Sequence, residues 1–134
     1  MASHYTATTR GIVVGVQTVY LTEQSDPEAG TWVWAYQVRI ENRGLETVQL
    51  LRRTWRITDA RGRMQTVEGP GVVGRTPTLK PGEAFEYTSG TPLETASGFM
   101  SGLYHMVVPA TGEAFDAEIP TFSLDAPAQR GSVH

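Results

Sequence analysis

The chain has 134 residues, of which 40% are hydrophobic and 19% charged, and its formal net charge is −3. A chain of this length supports one hydrophobic core, so we expect a single globular domain over residues 1–134. The composition excludes a disordered or membrane-embedded chain. Because there is no cysteine, disulfides, thiolate metal sites and cysteine nucleophiles are also excluded.

Positive charge is concentrated in residues 52–75, which contain six arginines against only Asp59 and Glu68. The arginines are Arg52, Arg53, Arg56, Arg61, Arg63 and Arg75. General nucleic-acid binders are usually basic as whole domains, so the acidic total argues against nucleic acid as a partner and leaves a small anion as an alternative. No stretch approaches the ~20 apolar residues of a membrane helix, so we expect no membrane insertion and a cytoplasmic location.

Alternating hydrophobic and polar residues predict β-strands along the whole chain. The first strand begins at Ile12, and its pattern predicts a change of phase near Thr18. A polar loop over 22–31 precedes the strongest strand, 32–41, in which Trp32 and Trp34 belong to the face expected in the core. After a turn at 42–44, a return strand over 47–58 changes phase after Leu50, which predicts a β-bulge or a corner.

The second half continues with short strands and turns. We expect a turn at 59–62, a strand at 64–67, a glycine-rich loop at 69–74, a turn at 80–83, a strand at 85–87, a loop at 91–98, and strands at 99–108 and 115–124. Residues 1–10 and 126–134 are expected to be loose tails. Seven or eight short antiparallel strands predict an all-β fold, an immunoglobulin-like or fibronectin type III-like sandwich, with a closed barrel as the alternative.

The loop at 69–74 matches G-x-G-x-x-G, the phosphate-binding pattern of dinucleotide-binding folds. That mechanism needs a following helix, whereas Pro77 comes three residues after the last glycine, so we interpret the segment as an inter-strand loop. A weaker anion site remains as an alternative, in which free backbone N–H groups act with an arginine. Its candidate residues are Gly69, Gly71, Gly74 and Arg75.

No catalytic or metal-binding constellation is evident in the sequence. His4, His105 and His134 lie far apart, and Asp116 with Glu118 on one strand face is most simply a solvated pair. Ser101 and His105 are four strand residues apart, roughly 13 Å, which is beyond hydrogen-bond reach. We therefore predict no enzyme activity and no cofactor, with Co²⁺ or Mg²⁺ as a weak alternative.

Several longer motifs resemble the ApaG family, from about Val13 to the end of the chain. They are Val19-Tyr20-Leu21, Gln24-Ser25, Trp34-Ala35-Tyr36, Val38-Arg39-Ile40-Glu41-Asn42, Val48-Gln49-Leu50-Leu51, Trp55, Ile57-Thr58, Gly71-Val72-Val73-Gly74, Pro81-Gly82-Glu83, Phe85, Tyr87-Thr88-Ser89-Gly90, Gly98, Met100, Gly102, Tyr104, Met106, Ile119-Pro120 and Phe122. One departure is Pro70, because the family's loop commonly reads Gly-Glu-Gly; a metal-binding carboxylate is therefore missing there, and proline removes an N–H.

The resemblance implies a fibronectin-type sandwich and a role linked by name to cobalt resistance and magnesium efflux. Related eukaryotic domains occur in an F-box protein and in a DNA-polymerase-interacting protein, which implies recognition of protein partners. We therefore expect a non-enzymatic protein–protein interaction module with an indirect role in cation homeostasis, offering a sheet edge or forming a homodimer. The alternative is binding, or weak hydrolysis, of phosphate or pyrophosphate compounds at the glycine-rich loop.

Overall fold

A computed structural model describes residues 4–127, which form nine antiparallel strands in two packed sheets. The strands are β1 His4–Thr9, β2 Ile12–Tyr20, β3 Trp32–Asn42, β4 Val48–Asp59, β5 Met64–Pro70, β6 Thr78–Leu79, β7 Ala84–Leu93, β8 Ser97–Val108 and β9 Glu113–Asp125. The first sheet has the order β1-β2-β3-β7, and the second has the order β5-β4-β8-β9, with β6 paired to β4. The predicted all-β sandwich is confirmed.

Two differences in strand number have simple causes. Residues His4–Thr9 form strand β1 instead of the predicted tail, and Tyr5 there packs against Phe122 and hydrogen-bonds Ser123 at 3.1 Å. Strand β6 has only two residues, too few to leave an alternating pattern. Of the predicted tail at 126–134, Ala126 donates its N–H to Ala96 O, and residues 128–134 lie outside the described residues.

Bulges explain where the alternation of inward residues changes. In β4 the register shifts between Leu50 and Arg52, so Leu51 is the extra residue, and the predicted irregularity is confirmed. In β9 a second shift leaves two residues, Pro120 and Thr121, opposite a single residue of β8. The phase change predicted near Thr18 is wrong, because β2 keeps a continuous register with β3 and Val19 is 54% exposed.

Aromatic side chains fill the centre of the core between the sheets. Trp55 contacts Tyr36, Tyr104 and Phe122, with ring centroids 5.3–6.3 Å apart. Trp34 is fully buried, as predicted, whereas Trp32 at the start of β3 is only partly buried. Such aromatic contacts supply a large share of a sandwich core's apolar burial.

The two sides of the sandwich differ. On one side, β1 and β2 pack directly against β9 and close the gap between the sheets. On the other side, the edge strands are β7 of the first sheet and β5 of the second. A cleft lies between these two edges. No helix among residues 4–127 is long and apolar enough to cross a membrane.

Candidate functional site

A cleft of about 420 Å³ lies between β5 and β7, on the open side of the sandwich. Its walls come from both sheets and from the loop that follows β5. The lining residues are Tyr36, Arg53, Trp55, Ile57, Gln65, Val67, Val72, Val73, Tyr87, Ser89, Gly90, Thr91 and Pro92. An apolar, aromatic wall with a few polar groups is the usual chemistry of a ligand site, and 420 Å³ is within the usual size range.

The only charged side chain in this lining is Arg53. The bulge at Leu51 gives Arg53 the inward phase of Trp55. Its Nη1 donates to the carbonyl oxygens of Pro70 and Gly71, both at 3.0 Å. No ion pair among residues 4–127 includes Arg53. The cleft therefore holds a guanidinium with no matching carboxylate.

Three buried tyrosines lie near this cation but do not neutralise it. Burial raises the pKa of Tyr36, and a hydrogen bond with Ser89 and the nearby Arg53 charge offset only part of the rise. Burial likewise raises the pKa of Tyr87 and of Tyr104, whose hydroxyls are 2.5 Å apart. All three phenols thus stay protonated at physiological pH, and the net charge of the cleft is positive.

The four predicted anion-site residues do not share one loop. Gly69 is paired with Arg53 in strand β5, so only Gly71, Gly74 and Arg75 belong to the connection that follows. A Cβ at Gly71 would clash with the carbonyl of Arg75, which explains this glycine by packing. The Arg75 guanidinium lies 5.8 Å from the Phe85 ring centroid.

Three backbone donors of this loop are already engaged. The N–H groups of Gly71, Val72 and Arg75 bond to carbonyls of Leu51, Arg75 and Val72, respectively, at 2.8 Å. An anion cradle needs free N–H groups pointing at the ligand, and these three point elsewhere. Anion binding by the loop backbone stays a prediction.

The tip of the same loop carries an unusual residue, Val73. Its φ is 43°, in the left-handed region, and its side chain is 56% exposed. A β-branched residue in this conformation is a genuine outlier and costs about 1–3 kcal/mol. The neighbouring Val72 is fully buried and anchors the loop to the core. Val73 therefore stands as a strained apolar contact at the rim of the cleft.

The cleft continues beyond the space around Arg53. A second cavity of about 560 Å³ shares Ile57, Gln65 and Pro92 with the first and extends to Asp59, Arg63 and Glu94. At the opposite end, the loop separates the cleft from a depression lined by Gly74, Arg75 and Phe85. We call the cleft around Arg53 the inner cavity, the second space the outer cavity, and the two together the β5–β7 groove. The two cavities share lining residues at Gln65, whereas the inner cavity shares none with the depression beyond the loop.

A further cluster on the outer face of the second sheet joins three strands. Thr54 Oγ1 lies 2.7 Å from His105 Nε2, and His105 Nδ1 lies 2.7 Å from Asp116 Oδ1. This cluster was not predictable from local sequence, because its contacts cross β4, β8 and β9. The one signal is that the strand register places these side chains on one face of the sheet.

This cluster has the order of groups found in nucleophilic hydrolases. However, Thr54 is only 7% exposed, and Glu68 Oε2 lies 3.4 Å from its hydroxyl oxygen, where a negative charge opposes formation of an alkoxide. We therefore assign the cluster to cross-strand fixation. Among residues 4–127, no group of three or more His, Cys, Asp or Glu side chains is arranged to hold a metal ion.

Comparison with known proteins decides the family. The family described as the ApaG domain matches residues 22–108. The chain belongs to the ApaG family. Protein ApaG of Rhodospirillum centenum is 64% identical over 94% of this chain and 96% of its own length, and protein ApaG of Paramagnetospirillum magneticum is 59% identical over the same shares.

A solved structure supports the same conclusion. The crystal structure of a Bordetella pertussis protein described as ApaA superposes with a TM-score of 0.83 at 46% identity, covering 93% of this chain and 98% of that one. The resemblance inferred from the motifs is therefore confirmed. The ApaG name specifies neither a reaction nor a ligand.

Proposed function

We propose that the protein is a cytoplasmic, non-enzymatic binding module that holds an extended segment of a protein partner in the β5–β7 groove. The observation that carries the proposal is the groove itself, an aromatic channel with edge strands on both sides. Edge strands have unpaired backbone donors and acceptors, which an added strand satisfies, while side-chain pockets give specificity.

Val73 supports this proposal. Exposed apolar side chains in strained loops are more typical of binding surfaces than of structural turns. The reason is that a strained backbone conformation persists only where the surrounding structure holds it, and such conformations cluster at functional sites. The edge strands also have features that limit unspecific pairing, since Pro70 ends β5 and Pro92 lies near the end of β7. Binding is thus directed to the middle of the groove.

The family's association by name with cobalt resistance and magnesium efflux fits an indirect role, in which the module binds a protein that acts on the cation. This version predicts that the purified chain shows no calorimetric heat of binding with Co²⁺ or Mg²⁺ at micromolar concentrations. Stoichiometric binding of either ion to the chain would replace the indirect role by a direct one.

Photo-crosslinking in cells tests the binding module. A benzophenone amino acid is placed at Gln65 or at Val73, both exposed residues of the groove, and a control is placed at Thr121, an exposed residue of β9. We expect the two groove positions to capture the same partner peptides, identified by mass spectrometry, and the control to capture none of them. Equal capture from Thr121 would overturn the groove as the binding surface.

A further inference from the structure

We infer that the β5–β7 groove, if it binds a peptide as proposed above, recognises the free C-terminal carboxylate of that peptide through Arg53. The first argument is charge. Arg53 is the only charged group lining the inner cavity, and the surrounding phenols remain neutral. A guanidinium in a cleft with apolar walls favours an anion, and a carboxylate matches its planar donors.

The second argument is the set of donors that remain. A guanidinium has five N–H donors, and two carbonyls occupy only its Nη1 group. Those two bonds tie the side chain to Pro70 and Gly71, so its position is fixed before any ligand arrives. Fixing the donor in advance lowers the entropy cost of binding.

The third argument is the shape of the groove. The outer and inner cavities share Ile57, Gln65 and Pro92, whereas the inner cavity shares no lining residue with the depression on the other side of the loop that carries Val72 and Val73. A chain that enters from the outer cavity and continues inward meets this loop. A chain ending there places its carboxylate on the cation and its last side chain among Tyr36, Trp55 and Val67, which favours a C terminus over an internal acidic side chain.

The outer cavity accommodates the preceding residues. Its lining combines Ile57, Met64 and Leu93 with the charged groups Asp59, Arg63 and Glu94. The two carboxylates are already paired with Arg63, at 2.8 Å for Asp59 and 3.2 Å for Glu94. Specificity for charge therefore resides at the Arg53 end, and the outer cavity contributes apolar contact.

Paired peptides test this inference in the unaltered protein. Pools of N-acetylated apolar tripeptides are prepared twice, with a free C-terminal carboxylate and with a carboxamide, and backbone amide shifts of the ¹⁵N-labelled protein are followed. We expect the acid pools to shift Tyr36, Val72 and Ser89 with an affinity at least about tenfold higher than the amide pools.

Two arginine variants make a matched pair. Arg53→Met removes the inward guanidinium, whereas Arg52→Met removes a neighbouring exposed arginine that faces outward, opposite His105. We expect Arg53→Met to abolish the preference for acid over amide and Arg52→Met to keep it. The comparison of acid and amide in the unaltered protein does not depend on how well Arg53→Met folds.

The outcomes separate the two proposals. Equal binding of acid and amide pools at the groove overturns the role of the terminal carboxylate and leaves the peptide groove in place. Absence of binding by both pools counts against the groove as well. Amidated tripeptides ending in glutamate test whether a side-chain carboxylate binds as well as a terminal one. Inorganic phosphate tests whether the groove binds anions in general. If either bound as tightly as the acid pools, recognition of a chain terminus would be overturned.

Discussion

Val73 combines conformational strain with exposure, and this combination leads to a prediction about stability. Asparagine tolerates the left-handed region better than a β-branched residue, so Val73→Asn should relieve strain at little cost in apolar burial. We expect the free energy of unfolding to rise by about 1 kcal/mol, measured by urea denaturation. Crosslinking or peptide binding at the groove should weaken in the same variant.

Val19 provides the matched control for Val73. It is similarly exposed, at 54%, but lies in the regular strand β2. Val19→Asn should therefore leave stability unchanged or lower it, since asparagine is a poor strand former. If both substitutions had the same effect, strain at Val73 would not be the cause.

Asp59 determines part of the response of stability to acid. Burial raises the pKa of this carboxyl, but hydrogen bonds from the N–H groups of Arg63 and Arg61 and from the Arg63 side chain outweigh it, so the pKa is lowered. The pKa in the folded state therefore lies below the unfolded value of ~4. The ionised Asp59 adds its full contribution to the free energy of unfolding above pH ~4, and this contribution is lost as pH falls through the folded pKa.

Asp59→Asn tests this assignment. We expect the urea midpoint of the variant to fall less steeply between pH 5 and pH 2.5 than that of the unaltered protein, since one of the groups that bind a proton more tightly in the unfolded state is removed. Identical slopes for the two proteins would show that Asp59 contributes nothing to acid sensitivity.

At the scale of elements, Gly102 controls how closely β4 and β8 approach. It pairs with Trp55, and a Cβ at this position would overlap the carbonyl of Thr54 and come within 3.2 Å of Ile119 Cδ1. Gly102→Ala should therefore push the two strands apart and destabilise the fold by about 1–3 kcal/mol or more in urea denaturation. Gly15→Ala is the control, because the closest atom to its Cβ would belong to the movable ring of His4, at 3.0 Å, and no backbone atom would lie in its way. An equal loss in both variants would contradict the steric argument.

Most of the sheet architecture was predictable because each buried strand alternates with a period of two. Strand β8 is the clearest case, since Met100, Tyr104 and Met106 are all buried as the pattern indicates. Strand β1 was not predictable, because an edge strand over 4–9 is only half-buried and its sequence lacks large alternating hydrophobic residues apart from Tyr5. Pairing with β2 and contact with β9 stabilise residues 4–9 as a strand.

The groove was predictable only in part. Arg53 lies two residues before Trp55 and therefore on the same face of β4, which the sequence shows. That β5 and β7 lie across a cleft from each other depends on how the two sheets stack, which the sequence does not show. The glycine-rich segment was assigned as a loop, but Gly69 and Pro70 lie in β5, because pairing with β4 extends the strand through residues that have weak strand propensity. Local sequence carries no signal for such non-local pairing.

At the scale of the whole molecule, the two ends of the described chain close the sandwich together. Thr9 Oγ1 accepts the N–H of Glu118 at 3.0 Å, and Arg10 forms a bidentate pair with Glu113 at 3.0 and 3.1 Å. These contacts span more than 100 residues. Forming them requires closure of the largest loops in the chain, which folding favours late.

Folding kinetics test this order through Tyr5, whose ring and hydroxyl contact β9. If the ends dock after the transition state, Tyr5→Ala should speed unfolding and leave the folding rate nearly unchanged, with an expected loss of stability of about 1–2 kcal/mol. Ile119→Val is the comparison, because Ile119 lies in the β8–β9 hairpin, whose four-residue connection at 109–112 closes a short loop.

Stopped-flow fluorescence of the buried Trp34 and Trp55 follows both variants across a range of urea concentrations. We expect refolding in milliseconds to seconds, as in other sandwiches rich in non-local pairing. Ile119→Val should slow folding in proportion to its stability loss of about 1 kcal/mol, since the hairpin forms early. A slower folding rate for Tyr5→Ala and an unchanged one for Ile119→Val would reverse the order, placing the joining of the chain ends at the start of folding.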